Sequence, residues 1–316
     1  VSPVHAIALV LPYYGKLPSF FNIFLRSVAG KRLDVLFISD LSVTVHPSNF
    51  RCIMMSFDEC RMLISEKIGR KVRIDSPRRL CDFKPMFGKV FEDCLRGYDY
   101  WAFGDCDLVY GASLDNVLGE ILQSDCDVFS LHYGYCSGPF CVMKNCSKVN
   151  NLYRSADNLD EICLHAGMQC LAFDELHGDW HGQVQSGQMS IEDCRRKADS
   201  FTAIVMRTAG LKCRFEEIIV EPALRDGAVV KMDGNGVLTL AGNEVPLFHF
   251  VCAKIRKYFT PVYAEYENIG EYLIDDSGFY VSDFQKRFRR IINCFRKSRA
   301  AIRSLLVNGP RRFLGR

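Results

Sequence analysis

The feature that most constrains the fold is the regular alternation of short apolar runs with amphipathic runs over residues 5–131. The apolar runs are typical of strands buried on both faces. They are His5–Leu11, Asp34–Ile38, Arg51–Phe57, Tyr98–Gly104 and Val128–Leu131. The runs with helical spacing are Pro18–Val28, Asp58–Ile68 and Pro85–Leu95. Because parallel strands need crossover helices, this rhythm predicts an α/β fold with a mostly parallel central sheet and helices on both faces.

The second half of the chain is less regular. Asp233–Gly236 stands between two alternating runs, which predicts a β-hairpin over Val229–Leu240. Pro246–Val251 is a further short apolar run and is predicted to be a strand.

Composition narrows the class of protein. The chain has 316 residues, of which 48% are hydrophobic and 24% charged, a typical balance for a globular domain with a sizeable core. No run approaches the roughly 20 apolar residues of a membrane-spanning helix. The apolar run after Val1 lacks a basic start, so we interpret it as a buried strand and not as a signal peptide. The fifteen cysteines include no C-x-x-C pair, which favours core residues in a reducing compartment. We therefore expect a cytoplasmic protein.

Charge is unevenly distributed along the chain. Residues 282–316 contain eleven Lys or Arg and one acid, Asp283, whereas residues 1–281 carry 29 basic and 36 acidic side chains. Apolar residues recur at helical spacing in 284–316, so we predict a basic amphipathic helix that follows a catalytic domain at 1–281. This helix could lie on an anionic membrane surface, bind a partner enzyme or pack against the domain itself. No nucleic-acid-binding motif accompanies the charge, so we expect no nucleic-acid partner.

Asp105 and Asp107 are the first residues that indicate chemistry. They follow the apolar run Tyr98–Gly104, and ligands of open α/β sheets bind beyond the carboxyl ends of strands. Two carboxylates one residue apart in a turn can point into one site, where oxygen ligands suit Mg²⁺ or Mn²⁺. Such a cation would stabilise a leaving diphosphate. The alternative is a solvated loop with two exposed acids.

Several runs in this order resemble a known family. They are YYGKLPSFFNIFL, FISD, CDFKPMFGKVFEDCLRGYDYWAFGDCDLVYG and FHF. Together they are similar to a family of bacterial GT-A-fold glycosyltransferases of surface-polysaccharide gene clusters, long catalogued as a domain of unknown function. The resemblance covers roughly residues 5–255, and more distantly the layout is similar to retaining glycosyltransferases of the glycogenin type. It implies a GT-A-like, Rossmann-like fold and a nucleotide-sugar donor.

The resemblance implies donor-binding roles for residues of the first half. Tyr13 and Tyr14 follow the first strand, where an aromatic ring could stack on the nucleotide base. Asp40 ends the second strand and could accept hydrogen bonds from the base or ribose. Asp82 and Lys84 would face the ribose, sugar or phosphate. Core tyrosines and a plain surface lysine are the alternatives.

It also implies roles for residues of the second half. His249 would complete the metal site with Asp105 and Asp107, although a lone histidine in an apolar strand is more often a core residue. Lys254 could neutralise the diphosphate. Gly138 would permit close backbone approach to the donor sugar. Tyr135-Cys136-Ser137 depart from the aromatic or His residues that the family pattern leads us to expect, so the donor sugar stays open.

Asp174 and Glu175 form a second acidic pair. In an inverting glycosyltransferase one carboxylate deprotonates the acceptor hydroxyl. In a retaining enzyme a carboxylate can stabilise positive charge on the sugar or bind the acceptor. We expect one of the two to be catalytic, and a helix-surface pair is the alternative.

The function implied is transfer of a hexose from a UDP-sugar, with Mn²⁺ or Mg²⁺, to a glycan or lipid-linked oligosaccharide acceptor in surface polysaccharide synthesis. The enzyme would lie peripherally on the cytoplasmic face of the membrane. D-C-D-L-V also matches the nucleophile motif of haloacid-dehalogenase-type phosphatases, with Asp105 as nucleophile and Asp107 as acid. That motif belongs on the first strand of its domain, whereas three predicted strands precede Asp105 here. A non-catalytic glycosyltransferase-like binding protein is the third possibility.

Overall fold

The structure is a computed structural model, and it describes residues 5–176, 183, 187–190, 192–193, 200–221, 228–251, 270–275 and 278–280. Lys254 and the predicted C-terminal helix at 282–316 lie outside these residues. The boundary after residue 281 therefore stays a prediction. Among the helices that the structure describes, none is both long and apolar enough to cross a membrane.

Strands and short helices alternate along the described part of the chain. Its strands are β1 (Ile7–Pro12), β2 (Asp34–Ser39), β3 (Phe50–Met54), β4 (Tyr100–Gly104), β5 (Leu108–Tyr110), β6 (Val128–Ser130), β7 (Phe140–Lys144), β8 (Cys213–Phe215), β9 (Ile219–Val220), β10 (Val230–Met232), β11 (Leu238–Leu240), β12 (Asn243–Glu244), β13 (Leu247–His249), β14 (Tyr272–Asp275) and β15 (Gly278–Tyr280). Its α-helices are α1 (Phe21–Val28), α2 (Phe57–Ile68), α3 (Phe87–Val90), α4 (Leu114–Ser124), α5 (Ser147–Asn150), α6 (Leu159–Leu164) and α7 (Phe201–Arg207). Two 3₁₀ helices lie at Pro77–Met86 and Leu152–Ser155.

The central sheet has seven strands in the order β3-β2-β1-β4-β7-β6-β8. The pairs from β3 to β4 are all parallel, as is the pair of β6 with β8. Strand β7 runs antiparallel to both of its neighbours, β4 and β6. This mostly parallel sheet confirms the predicted fold class. Because β1 and β4 are parallel neighbours, the residues that follow them meet at one edge of the sheet.

Helices cover both faces of this sheet because side chains along a strand alternate in direction. Within β1, Ile7, Leu9 and Leu11 are buried in a core that includes α1 and α4. Ala8 and Val10 are buried in a second core that includes α2 and α3. The apolar character of the whole strand follows from this two-sided burial.

The predicted helix Pro85–Leu95 forms differently. Its first residues belong to the 3₁₀ helix Pro77–Met86, and α3 is only four residues long. Pro85 has no N–H to donate and disfavours the α conformation at Lys84, so a regular α-helix does not run through this segment. This irregular backbone carries Lys84 to the edge of the sheet where β1 and β4 end.

Two smaller sheets complete the described fold, in the orders β5-β13-β9 and β12-β11-β10-β14-β15. The second contains the predicted hairpin, in which β10 and β11 pair antiparallel. The Asp233 carboxylate accepts hydrogen bonds from the N–H groups of Asn235 and Val237, each at 2.9 Å, which fixes the turn. In the first sheet, β13 is antiparallel to β5 and parallel to β9.

Gly88→Ala tests the packing of α3 on the central sheet. A Cβ at this position would lie 2.5 Å from two carbon atoms of the fully buried Trp101 ring. The ring is fixed by a 2.8 Å hydrogen bond from Nε1 to Asn150. We expect the free energy of unfolding to fall by about 1–3 kcal/mol, measured by urea denaturation.

Gly119→Ala in α4 is the matched control. Its Cβ would meet the flexible end of Arg32 at 3.3 Å, so helix propensity should stabilise this variant by up to about 1 kcal/mol. A Gly88→Ala variant as stable as the control would contradict the described packing.

Candidate metal and donor site

Strand β4 delivers the first acidic pair to the carboxyl edge of the central sheet. All of its residues are buried. The N–H group of Asp105 donates to the Pro139 carbonyl at 3.0 Å, and a Cβ on Gly104 would lie 2.8 Å from that same oxygen. The turn after β4 is therefore tight, with Asp107 buried and Asp105 partly exposed.

Strand register in the three-stranded sheet brings His249 to this pair. His249 pairs with Leu108 of β5, and the Phe250 N–H donates to the Asp107 carbonyl at 3.2 Å. His249 Nε2 lies 3.2 Å from Asp107 Oδ2. One ligand atom each from Asp105, Asp107 and His249 lie within 4.8 Å of one another. Two carboxylates and an imidazole suit Mn²⁺ or Mg²⁺, so this cluster could hold a divalent metal.

Glu221 and His132 adjoin the cluster, and the sequence analysis missed both. His249 Nδ1 is hydrogen-bonded to Glu221 Oε1, and His132 Nε2 lies 3.7 Å from the same oxygen. Burial lowers the pKa of His249, but hydrogen bonds with Asp107 and Glu221 outweigh it and raise this pKa to about 9. For Glu221, burial raises the pKa, but the two imidazoles outweigh it and lower this pKa to about 2. No spacing in the sequence indicates this grouping, because it depends on strand pairing.

Lys84 is buried between the two acidic pairs. Its Nζ atom lies 3.0 Å from Asp105 Oδ1 and 3.4 Å from Asp174 Oδ2, and it donates to the Gly138 carbonyl at 2.8 Å. Burial lowers the pKa of Lys84, but the charges of the neighbouring carboxylates outweigh it and raise this pKa well above its usual value. The surface-lysine alternative is therefore wrong, and the ammonium group has a positive charge beside the metal ligands.

Asp174 is the most strongly perturbed acid of the site. Burial is the main cause that raises its pKa, to about 8, and the charge of Lys84 opposes this shift. The neighbouring carboxylates of Glu175 and Asp105 raise the pKa further. Both acids of the second pair are therefore brought to the edge of the sheet where the first pair lies.

Gly138 makes the close approach of these elements possible. Its N–H donates to Glu175 Oε1 at 2.8 Å. A Cβ on Gly138 would lie 2.7 Å from that oxygen and 2.8 Å from Asp174 Oδ2, so a side chain does not fit. The structure thus places Gly138 directly against the second acidic pair.

Asp82 lies beneath the site and not on its surface. It is fully buried, and its carboxylate forms an ion pair with Arg79. The same carboxylate accepts hydrogen bonds from the N–H groups of Leu171 at 2.8 Å and Phe173 at 3.2 Å. These contacts fix the segment that leads into Asp174, so the geometry gives Asp82 a structural task.

A cavity of about 570 Å³ opens beside the acidic pair. Its wall consists of the ends of β1 and β4, part of the 3₁₀ helix Pro77–Met86, and the three candidate metal ligands. Tyr13 and Tyr14 line it, as do Arg78 and Cys81, which the sequence analysis missed. This volume is within the range of ligand pockets, roughly 300–1,000 Å³.

The two tyrosines differ in their surroundings. Tyr13 stacks on Phe37 with ring centroids 6.2 Å apart and is half-exposed. Tyr14 is buried and packs on Phe57 at 5.2 Å, which favours its alternative as a core residue. Asp40 is exposed and does not belong to the cavity wall. Tyr13 is therefore the ring better placed to meet a ligand.

Comparisons with known proteins show which family the chain belongs to. A profile described as "Family of unknown function (DUF6625)" matches residues 9–282, so the chain belongs to this family. No curated protein matches the sequence. Among solved structures, the chain is similar to the crystal structure of mouse xyloside xylosyltransferase 1 in its apo form, at 10% identity and a TM-score of 0.38. The likeness covers 78% of this chain and 98% of that one, and at this score it assigns no function.

Asp174→Asn tests the buried carboxyl by the pH dependence of stability. Because the folded-state pKa is about 8, above the ordinary value of 3.8, ionisation of Asp174 costs stability as the pH rises from about 4 to 8. In EDTA, wild-type unfolding free energy should fall between pH 5 and pH 8. The variant should lack this component and be more stable than wild type at pH 8 by a few kcal/mol.

Asp93→Asn is the control for this pH profile. Lys67 lowers the pKa of this exposed acid, so it titrates below the tested range and its removal should leave the slope unchanged. Wild-type and Asp174→Asn profiles that run parallel from pH 5 to pH 8 would refute the buried, protonatable carboxyl.

Proposed function

We propose that this member of the DUF6625 family is a metal-dependent glycosyltransferase that transfers a hexose from a nucleotide-diphosphate sugar, with UDP as the expected nucleotide. The observation that carries the proposal is the cluster of Asp105, Asp107 and His249 on the wall of a ligand-sized cavity. Hard oxygen ligands and one imidazole favour a cation that binds diphosphate oxygens. The cavity has room for a nucleotide beside that cation.

The donor would lie along the edge where β1 and β4 end. Tyr13 would stack on the base, with Tyr14 behind it and Asp40 reaching the base or ribose from the end of β2. Asp82 would act on the donor only indirectly, through the segment that it holds. Lys84 would face the diphosphate. Because its ammonium group is buried and little screened by water, it would attract the phosphate charges strongly.

Asp105, Asp107 and His249 would hold the metal. When bound, Mn²⁺ or Mg²⁺ supplies Lewis-acid stabilisation of the leaving diphosphate. Lys84 and Lys254 would add positive charge to the same leaving group. Since Lys84 contacts Asp105 at 3.0 Å, it also fixes the orientation of one metal ligand.

Asp174 and Glu175 would serve the sugar and the acceptor. A carboxyl with a pKa near 8 suits proton transfer close to neutral pH, which favours Asp174 as the group that takes the acceptor proton. Gly138 holds Glu175 beside it through the 2.8 Å hydrogen bond, so that Glu175 could bind an acceptor hydroxyl or face the sugar. Inversion and retention both remain open with this arrangement.

The acceptor would be a glycan or lipid-linked oligosaccharide of a surface polysaccharide. The basic segment 284–316 would bring the enzyme to an anionic membrane on its cytoplasmic face. The phosphatase alternative is disfavoured by topology, because β1, β2 and β3 precede the strand that ends at Asp105. The other alternative, a non-catalytic glycosyltransferase-like binding protein, is disfavoured because it would not need the Lys84 ammonium group buried between two acidic pairs.

A calorimetric titration of UDP, GDP and CMP with and without Mn²⁺ tests the proposal. We expect one nucleotide, UDP, to bind tightly only when Mn²⁺ is present, because Asp105, Asp107 and His249 would hold the cation and its charge would attract the diphosphate. Asp107→Asn and Asp105→Asn should lose this metal-dependent binding while remaining folded, and should abolish metal-dependent turnover of a matching nucleotide sugar.

The same titration discriminates the alternatives. Tight Mn²⁺ binding that is indifferent to every nucleotide, together with phosphatase activity, would favour the phosphatase. Full nucleotide binding and turnover in both Asp variants would disprove the metal assignment.

Neutralising the basic segment tests the membrane role. Changing Lys286, Arg287, Arg289 and Arg290 to Gln removes four charges, each worth about 1 kcal/mol at an anionic surface. Cosedimentation with vesicles containing anionic lipid should fall at least about tenfold, whereas nucleotide binding should not change. Equal cosedimentation of variant and wild type would reject the membrane contact, and vesicles of zwitterionic lipid provide the baseline.

A further inference from the structure

Four side chains form a connected series that ends at the candidate metal position. Asp107 Oδ2 lies 3.2 Å from His249 Nε2, and the opposite nitrogen of this ring, Nδ1, is hydrogen-bonded to Glu221 Oε1. His132 Nε2 approaches the same Glu221 oxygen at 3.7 Å. His249 is 6% exposed and His132 is 5% exposed, so both imidazoles of the series are buried.

Backbone pairing places these groups. Strand β9 is parallel to β13, with Ile219 opposite Leu247 and Val220 opposite Phe248. Glu221 follows Val220 and His249 follows Phe248, so these two residues lie side by side. On the other side of β13, the antiparallel strand β5 begins one residue after Asp107. The sheet thus holds one carboxylate on each side of the His249 ring.

The two carboxylates contact opposite nitrogens of the His249 ring, Glu221 at Nδ1 and Asp107 at Nε2. Metal binding needs an unprotonated Nε2, and a neutral imidazole has a single N–H. With the proton on Nδ1 and donated to Glu221, Nε2 is an available ligand atom. With the proton on Nε2 and donated to Asp107, His249 and Asp107 would be hydrogen-bonded to each other, and Nε2 could not bind the metal. The hydrogen bond between Nδ1 and Glu221 is the contact that matches the first arrangement.

We propose that Glu221 is the positioning residue of the metal centre, and that its carboxylate fixes the His249 ring with Nε2 turned toward Asp105 and Asp107. His132 supports this carboxylate from the opposite side. This inference rests on the proposed function, since it concerns the same metal centre. Carboxylates that accept a hydrogen bond from a ligating histidine orient the ring and raise its basicity as a ligand.

The outer end of the series supplies a matched control. Glu217 Oε1 lies 3.3 Å from His132 Nδ1, and its other oxygen accepts the Tyr133 N–H at 3.0 Å. Glu217 thus contacts the same histidine as Glu221 but at the other ring nitrogen, and its side chain is 64% exposed against 32% for Glu221. Both residues are glutamates close to β9, with Glu217 before this strand and Glu221 directly after it.

The experiment is a titration of the full-length protein with Mn²⁺ alone, in which free Mn²⁺ is measured by electron paramagnetic resonance. Glu221→Gln should weaken Mn²⁺ binding by about 10–100-fold, as is usual when a partner of a ligating histidine is lost. Glu221→Asp keeps the charge but withdraws the carboxylate by one methylene, so it should weaken binding as well. Glu217→Gln should bind within about twofold of wild type, because its carboxylate does not reach His249.

A second readout separates positioning from a general effect on the fold. At saturating Mn²⁺, the electron spin echo of the wild type should show modulation by a directly bound imidazole nitrogen, and His249→Ala should lack it. Glu221→Gln should lose most of this modulation while its urea unfolding midpoint stays close to that of Glu217→Gln. A variant that merely loosened the fold would keep the nitrogen signal once saturated.

The outcomes are distinct for the two claims. Wild-type affinity and nitrogen modulation in Glu221→Gln or Glu221→Asp would overturn the role of Glu221 and leave the metal centre intact. A wild-type protein that binds no Mn²⁺ would overturn the metal centre itself and this inference with it. Should Glu221→Gln fail to fold, Glu221→Asp gives the same test with the charge retained.

Discussion

The ion pairs of Lys84 are the interaction on which the rest of the site depends. One buried ammonium group lies within 3.4 Å of carboxylates from two separate segments and also binds the Gly138 carbonyl. The buried carboxylate of Asp174 would be costly at this depth without a cation nearby. Lys84 therefore joins the turn after β4, the loop before β7 and the segment that ends at Asp174 into one surface. Burial raises the pKa of Asp174 more than the charge of Lys84 lowers it, so this cation offsets only part of the cost of burying the carboxylate.

That surface is built where two sheets meet. The central sheet supplies Asp105 directly after the fully buried strand β4, and the three-stranded sheet supplies His249 at the end of β13. Asp107 connects the two sheets, because it is the last residue of the turn after β4 and directly precedes β5. Because the turn is so short, the two sheets cannot move apart without displacing both acids. A metal would find its ligands already close together, which is the condition for a site with little cost of reorganisation.

Much of the fold was predictable because its causes are local. The apolar runs became β1, β2, β3, β4 and β6. All of these except the edge strand β3 are buried along almost their whole length, and a strand buried on both faces has no polar alternation to obscure it. The hairpin was predicted by the turn residues at Asp233–Gly236. The helix at Pro85–Leu95 was less well predicted. Its apolar spacing was correct, but Pro85 lies within the 3₁₀ helix Pro77–Met86 and disfavours the α conformation at Lys84.

The sequence by itself determined the α/β class and the position of the acidic pair at a strand end, because these follow from apolar periodicity and a short motif, whereas His249 became a candidate ligand only through the resemblance to a known family. Only the tertiary structure decided that Lys84 lies between two acidic pairs and that Glu221 stands beside His249. These partners are far apart in the chain and meet through strand register and two-sheet packing. Apolar periodicity in a single sequence does not indicate such contacts, because it does not specify which residue follows the end of a strand or which residue it will meet.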